Sequence, residues 1–436
     1  MAESTQNISN SNNTLIWLKR GVWLYFYLLL FEGALRKWVL PGLSDALLIV
    51  RDPLAILLLF FAWKANILKL NGYITVMTFI GVASIITTFL TGHQNLFVTI
   101  YGARILLIQF PFIFLIGTVF DKSDVLQIGK QMLWIALPMT ILITLQFYSP
   151  QSAWVNRGVG GDMEGAGFSG ALGYFRPPGT FSFTNGNTFF YQLLACFILM
   201  FWLMPKYINK LILVLATICL VIAIPISISR TLLFSVIIAL VFYFSALYFR
   251  PQFFKKLFLF LASLMIVGII VSNLEFLDTA TEAFTSRFEN ASESEGGLEG
   301  TLVDRYLGGF ISAISNSQNI PFFGYGLGMG TNAGSQLLTG GTTFLIAEEE
   351  WARTIGEMGL ILGLGVILIR VFLSTSFGFK SFKALKKQNA VPWMLLSFVL
   401  LIVPQGQWAQ PTALGFAVFV TGLMIASFQP TSSTSN

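Results

Sequence analysis

The stretch LILVLATICLVIAIPISISRTLLFSVIIALVFYFSALYF, residues 211–249, carries a single charged side chain, Arg230. A helix of about 20 apolar residues crosses roughly 30 Å of hydrocarbon. The stretch therefore reads as two membrane spans, 211–228 and 231–249, joined by a very short turn around Ser229, Arg230 and Thr231. Working outward, comparable runs fall near 17–35, 43–63, 73–91, 96–120, 131–148, 186–204, 256–273, 353–376, 391–407 and 411–428. The expectation is an all-α integral membrane protein with about twelve transmembrane helices.

Composition agrees. Of 436 residues, 55% are hydrophobic and 11% charged, where a soluble chain carries about 25% charged residues. One His, His93, and two Cys in apolar runs, Cys196 and Cys219, give neither a readable zinc site nor a disulfide framework. A pI near 9.2 suggests nucleic acid at first sight, but the placement of the cations marks membrane topology instead. The first span, GVWLYFYLLLFEGALRKWVLP, has no small-residue cleavage site after a short core and is read as retained. Its polar lead, MAESTQNISNSNNT, is expected to be disordered.

Lysine sets the direction. With the first tail inside, 13 of the 14 Lys fall on one side: Lys19, Lys64, Lys69, Lys122, Lys130, Lys206, Lys210, Lys255, Lys256, Lys380, Lys383, Lys386 and Lys387. Positive residues favour the cytoplasmic side, so both termini are expected there. The resulting segments are a tail 1–16, helices 1–5 over 17–148, a periplasmic loop 149–185, and helices 6–9 over 186–273. A large periplasmic loop 274–352, helices 10–12 over 353–428 and a tail 429–436 complete the chain. Arginine behaves differently. Arg36, Arg51, Arg104, Arg157, Arg176, Arg230, Arg287, Arg305, Arg353 and Arg370 lie in spans or on the outer side, joined only by Lys37.

An Arg near the bilayer centre costs about 2.5–3.5 kcal/mol on insertion scales, so something must offset it. Guanidinium is a planar fork suited to phosphate and carboxylate, whereas ammonium is a hydrated point charge. An outer face served by Arg suggests a phosphate-bearing ligand from the outer leaflet. The alternative is that each Arg pairs with an acid for structure, Asp52 with Arg51 or Arg104 being a candidate pair.

In the first outer loop, Pro177-Pro178 stiffens the chain just after Arg176. Asp162-Met163-Glu164 resembles a metal pair but, set between glycines, reads as a solvated loop. The second outer loop opens with the acidic stretch DTATEAFTSRFENASESEGGLEG and continues into TLVDRYLGGFISAISNS. At 100° per residue Leu302, Val303, Tyr306, Leu307, Phe310 and Ile314 share one face and Arg305 points away. Gly326, Gly328 and Gly330 read as a tight turn, since no strand-and-helix unit surrounds them. Glu348, Glu349 and Glu350 sit at an expected helix start, where exposed amides stabilise carboxylates by about 0.3–1 kcal/mol. Glu349 and Arg353, four apart, pair on the structural reading. On the catalytic reading one of the three Glu is a general base. Arg230 is either a ligand-facing cation or a snorkelling anchor. Trp154, Tyr174, Phe175, Tyr325 and Trp351 are sugar-stacking or interfacial-belt residues.

Four segments in order, RPPGTFSFTNGNTFF (176–190), SISRTLL (227–233), DRYLGGFISAI…PFFGYGLGMG (304–330) and EEEWARTIGEMGLILGL (348–364), resemble the O-antigen ligase and O-antigen polymerase superfamily of bacterial envelope glycan enzymes. The resemblance implies a GT-C-like membrane fold whose dominant periplasmic loop lies between helices 9 and 10. It implies inverting glycosyl transfer, without metal or other cofactor, from an undecaprenyl-pyrophosphate-linked glycan donor to a glycan acceptor at the periplasmic face of the inner membrane. On it, Arg230 and Arg305 match pyrophosphate-binding positions, and Arg176 and Arg104 join them as candidates. Glu348, Glu349 and Glu350 occupy the place where ligases and many relatives carry a catalytic His. The absence of that His favours a polymerase-like member, with a ligase acting on lipid A core or protein as the alternative. The expected partners are the bilayer, donor and acceptor, with a chain-length regulator or other glycan-assembly protein as a candidate and no nucleic acid. A secondary transporter is the alternative of another class, although the two halves of the chain do not match as transporter repeats tend to.

Overall fold

In hydrocarbon a helix satisfies every backbone amide within its own segment, so apolar runs fold that way. The computed structural model describes residues 2–249, 265, 275–295, 309–315, 318, 320–341 and 343–430, and it is mostly helical. The helices are α1 (Ala2–Ala34), α2 (Arg51–Lys64), α3 (Gly72–Thr91) and α4 (Leu96–Arg104), which runs through a π-turn into α5 (Phe110–Val119). Next come α6 (Lys122–Tyr148), α7 (Thr184–Leu203), α8 (Lys210–Ile226) and α9 (Arg230–Tyr248). After them are α10 (Asp278–Glu295), α11 (Gly309–Ser315), α12 (Asn332–Thr339), α13 (Glu350–Lys386), α14 (Val391–Gln405) and α15 (Pro411–Ala426).

Among the described residues seven helices are long and apolar enough to cross a membrane. An eighth counts if Pro41–Leu48 and Arg51–Lys64, bent by 41° at their break, form one span. The apolar helices α8, α14 and α15 are shorter. The ninth expected span, 256–273, lies outside the described residues apart from Met265, and Arg305 lies outside them too. The polar lead expected to be disordered is helical from Ala2, because extending an existing helix is far easier than nucleating one.

At the centre of the bundle stands α7, most of whose side chains are buried, against α6, α9 and α14. Close approach of α5 and α15 depends on small residues. A Cβ on Gly117 would lie 2.4 Å from Ile425, and one on Gly422 would lie 2.5 Å from Ile116. Without water between helices, such interpenetration supplies much of the packing energy. At the opposite end from the site described below, Lys19 of α1 bonds Asp124 of α6 at 2.6 Å, and Asp121 with Asp124 forms a capping box.

One long helix is broken. At Gly359 of α13 the backbone takes φ +74°, which frees the carbonyls of Gly356 and Glu357. A glycine-rich loop fills the break: Tyr325 N–H donates to Gly356 O at 2.8 Å and Gly326 N–H to Glu357 O at 3.0 Å. A Cβ at Gly359 would lie 2.0 Å from Phe322 O, so this position requires glycine twice over. The tight-turn reading of the glycine tract holds, with positive φ at Gly324, Gly326 and Gly328. Its use is to reach into a helix.

Candidate functional site

Three helices begin and one ends around a cavity of about 450 Å³. Asn185, Thr188 and Phe189 come from the first turns of α7, Thr231 from the start of α9, and Glu348, Glu349, Glu350 and Trp351 from the start of α13. Gln405 and Gln407 close it at the end of α14, and Arg176 reaches in from the loop before α7. A helix N-terminus presents unsatisfied amides and about half a positive charge. Neither α7 nor α13 has a side-chain cap on those amides, whereas Ser229 caps α9 by accepting from Leu232 N–H. The converging termini make this end of the bundle attractive to anions.

Arg176 is held on a rigid mount. It ends a two-stranded hairpin, β1 (Phe168–Ala171) and β2 (Tyr174–Arg176), turned at Leu172 and Gly173, both with positive φ as a tight primed turn needs. Pro177-Pro178 follows, and Gln146 of α6 clamps Gly179 from both sides, accepting from its N–H at 2.8 Å and donating to its carbonyl at 3.2 Å. Asn187 donates to Pro177 O at 3.2 Å, and Tyr174 stacks on Phe147 at 4.8 Å. The Nε of Arg176 is buried with no hydrogen-bond partner among the described residues. Burial, then the charges of Arg287 and Arg230, push its pKa down to about 10. Arg176 is thus within electrostatic reach of two other guanidiniums, Arg230 at the start of α9 and Arg287 of α10. Arg287 is fixed in part by donating to Gly170 O at 3.1 Å. Arg230 follows Ser229, whose hydroxyl meets that of Thr188 at 3.2 Å and ties α9 to α7.

The acidic wall divides. Glu350 is buried and saturated: Oε1 accepts from Arg353 at 2.9 Å and Arg370 at 2.6 Å, and Oε2 from Arg353 Nε at 3.0 Å and Trp408 N–H at 3.1 Å. Arg353 also pairs with Glu357 at 2.7 Å, and Arg370 lies over the Trp408 ring at 4.1 Å. Every acceptor direction of Glu350 is spent on structure. Glu348 and Glu349 remain exposed at the cavity. The carboxylate of Glu349 faces α11, where a Cβ on Gly309 would lie 2.9 Å from its Oε2.

The structure therefore brings Arg176, Arg230 and the Glu348–Glu350 run to one end of the bundle. Arg104 is not brought there. It pairs with Asp52 at 2.7 Å and lies over Tyr101 at 3.9 Å, while Asp52 also accepts from Gln109. A buried carboxylate at the start of α2 has captured it, as the structural alternative held. Arg51 is likewise taken, by Glu32 at 2.8 Å. His93 sits away from the cavity, against Leu327 O at 3.1 Å and Asn95 N–H at 3.0 Å. Asp162 spends one oxygen on Glu164 N–H in a local turn. Of the candidate aromatics only Trp351 lines the cavity, anchored by its indole N–H to Pro404 O at 2.8 Å.

Sequence reasoning missed the cooperation of Arg287 and the polar wall of Gln405 and Gln407. The run PQGQWAQP, 404–411, between two apolar helices was a usable signal for that wall. Among the described residues no three His, Cys, Asp or Glu side chains gather as a ligand set for a metal. No protein-family model, curated protein or solved structure matches the chain.

Proposed function

We propose that the protein is a polymerase of undecaprenyl-pyrophosphate-linked oligosaccharide repeat units, a twelve-span enzyme of the bacterial inner membrane with both termini cytoplasmic and this cavity at the periplasmic face. One observation carries the reading: the Arg176 guanidinium and the uncapped start of α7 share a single cavity with two accessible glutamates. Its volume is that of a ligand site, which typically spans about 300–1,000 Å³. The direction of the helices supports the topology, since α7 and α13 run from the cavity towards Lys206 and towards Lys380 to Lys387.

The chemistry follows from the two walls. An acceptor hydroxyl attacks the anomeric carbon of the carrier-linked sugar, the bond from that carbon to the pyrophosphate oxygen breaks, and configuration inverts. Negative charge grows on the departing pyrophosphate, where Arg176, Arg230 and the amides of α7 receive it. Preorganised donors aimed at developing charge are worth about 10²–10³ in rate each. The hydroxyl proton passes to Glu349 or Glu348, because a carboxylate gripped by two guanidiniums, as Glu350 is, accepts a proton poorly. Arg305, which lies outside the described residues, belongs to the same assignment by its resemblance alone.

The test is the size distribution of glycans in cells lacking the gene. Single carrier-linked repeat units should accumulate, and complementation with Arg176→Gln, Arg230→Gln or the double Glu348→Gln, Glu349→Gln variant should leave them unextended. Long carrier-linked chains would assign the protein as a ligase instead. Substrate flux in proteoliposomes without any lengthening would assign it to transport.

A further inference from the structure

At the end of α13 remote from the cavity lies a second hollow, about 640 Å³, among α3, α5, α13 and α15. Its wall on α13 is one stripe read at helical spacing. Leu373 and Phe377 come first, then Lys380, Lys383 and Lys387 as the helix ends. Residues three, four and seven apart share a helix face, so the three ammonium groups are directed to the same hollow. The opposite walls are apolar and stiff: Tyr73 stacks on Phe114 at 6.3 Å, and Phe428 on Phe377 at 6.5 Å.

Two features separate this hollow from an ordinary lipid-facing surface. No Asp or Glu lines it, and among the described residues none of Lys380, Lys383 and Lys387 has a carboxylate within ion-pair distance. The apolar part also has the right depth. From Leu373 to Lys380 the helix rises about 10 Å, so the floor runs into one leaflet while the lysines sit at headgroup level.

We infer that this groove binds an anionic phospholipid of the surrounding bilayer, its phosphate held by Lys380, Lys383 and Lys387 and an acyl chain laid along Leu373, Phe377 and Phe114. Charge complementarity selects the headgroup, and the aromatic floor selects a lipid over a soluble anion. Ammonium suits the task, because a headgroup at the water boundary needs attraction rather than a rigid fork.

The full chain, purified in mild detergent, is offered phosphatidylglycerol and phosphatidylcholine of identical acyl composition, and bound lipid is counted by native mass spectrometry. Phosphatidylglycerol should be retained preferentially. A lysine near an anionic headgroup contributes about fivefold, so Lys383→Gln should weaken the preference about fivefold and the triple Lys380→Gln, Lys383→Gln, Lys387→Gln variant roughly a hundredfold. The triple Lys→Arg variant and a Lys64→Gln, Lys69→Gln variant on the same side should keep it. Equal retention of both lipids by the unmodified protein overturns the inference. So does an equal loss in the Lys64, Lys69 variant, which would mean a diffuse surface field. Displacement of the lipid by glycerophosphate at matched concentration would also overturn it, in favour of a soluble anion. The single variant decides the matter if the triple variant does not fold.

Discussion

Two charge clusters meet at the start of α13 and use the same residue types to opposite ends. In the inner one, Glu350, Arg353, Glu357 and Arg370 are buried and paired, with Trp408 covering Arg370. In the outer one, Arg230 and Arg287 both disfavour the cation of Arg176, which shares a cavity with the exposed Glu348 and Glu349. In the buried cluster Glu350 has no capacity left for a ligand. In the outer cluster the buried Nε of Arg176 has no hydrogen-bond partner among the described residues, and a cation already disfavoured by two others would be relieved by an anion. Proximity of Arg to Glu is therefore not itself a sign of chemistry; Glu350 has all its acceptor directions taken, whereas Arg176 keeps a donor to spare.

The largest effect should come from breaking the closed cluster. Arg370→Leu leaves Glu350 short of a partner inside the protein, and losing one member of a buried pair typically costs about 3–5 kcal/mol. Loss of folded protein from the membrane, or a sharply lowered melting temperature in detergent, should result. Near-normal melting would mean the cluster is not a structural unit. Opening the other cluster should do the reverse. Arg176→Gln should lower glycan lengthening by at least about 10²-fold, near 2.7 kcal/mol, with an unchanged or raised melting temperature. Comparable stability losses in the two variants would mean that both clusters are structural.

Gly359→Ala should fall next. It forces a side chain into a left-handed position and against Phe322 O, and strain of that kind costs about 1–3 kcal/mol. Denaturation of the purified variant would measure it.

The smallest effect is a pH dependence. The Arg176 pKa is pushed down from its ordinary value to about 10, so the folded state disfavours its cation. Arg176→Gln should be the more stable protein below about pH 10, and its advantage should shrink as pH rises above that value. Over the same window inorganic pyrophosphate should lose its stabilising effect on the unmodified protein. A constant difference between the two proteins across that range would contradict the electrostatic account.

The membrane class was legible because a span is a local property. Runs such as 72–91 and 230–248 announce themselves in composition, and both are helices of sufficient length. Charge pairing is not local. The segregation of Arg from Lys marked Arg176 and Arg230, but by the same rule it marked Arg51 and Arg104, whose acids are Glu32 and Asp52. Partners 19 and 52 residues away do not show in a linear reading. The hairpin at 168–176 escaped notice because its strands are four and three residues long. The joint role of three helix starts was equally hidden, since each start was visible alone and only packing brings them together.

The glycine loop at 321–330 has a consequence for how the protein is made. The two backbone carbonyls exposed by the break at Gly359 are satisfied by amides that lie earlier in the chain. When the ribosome releases α13 for insertion, the segment that must seal its kink has already been synthesised and can accompany it into place. Moving that segment downstream of α13 by circular permutation would reverse this order, and the helix would have to enter lipid with its gap unsealed.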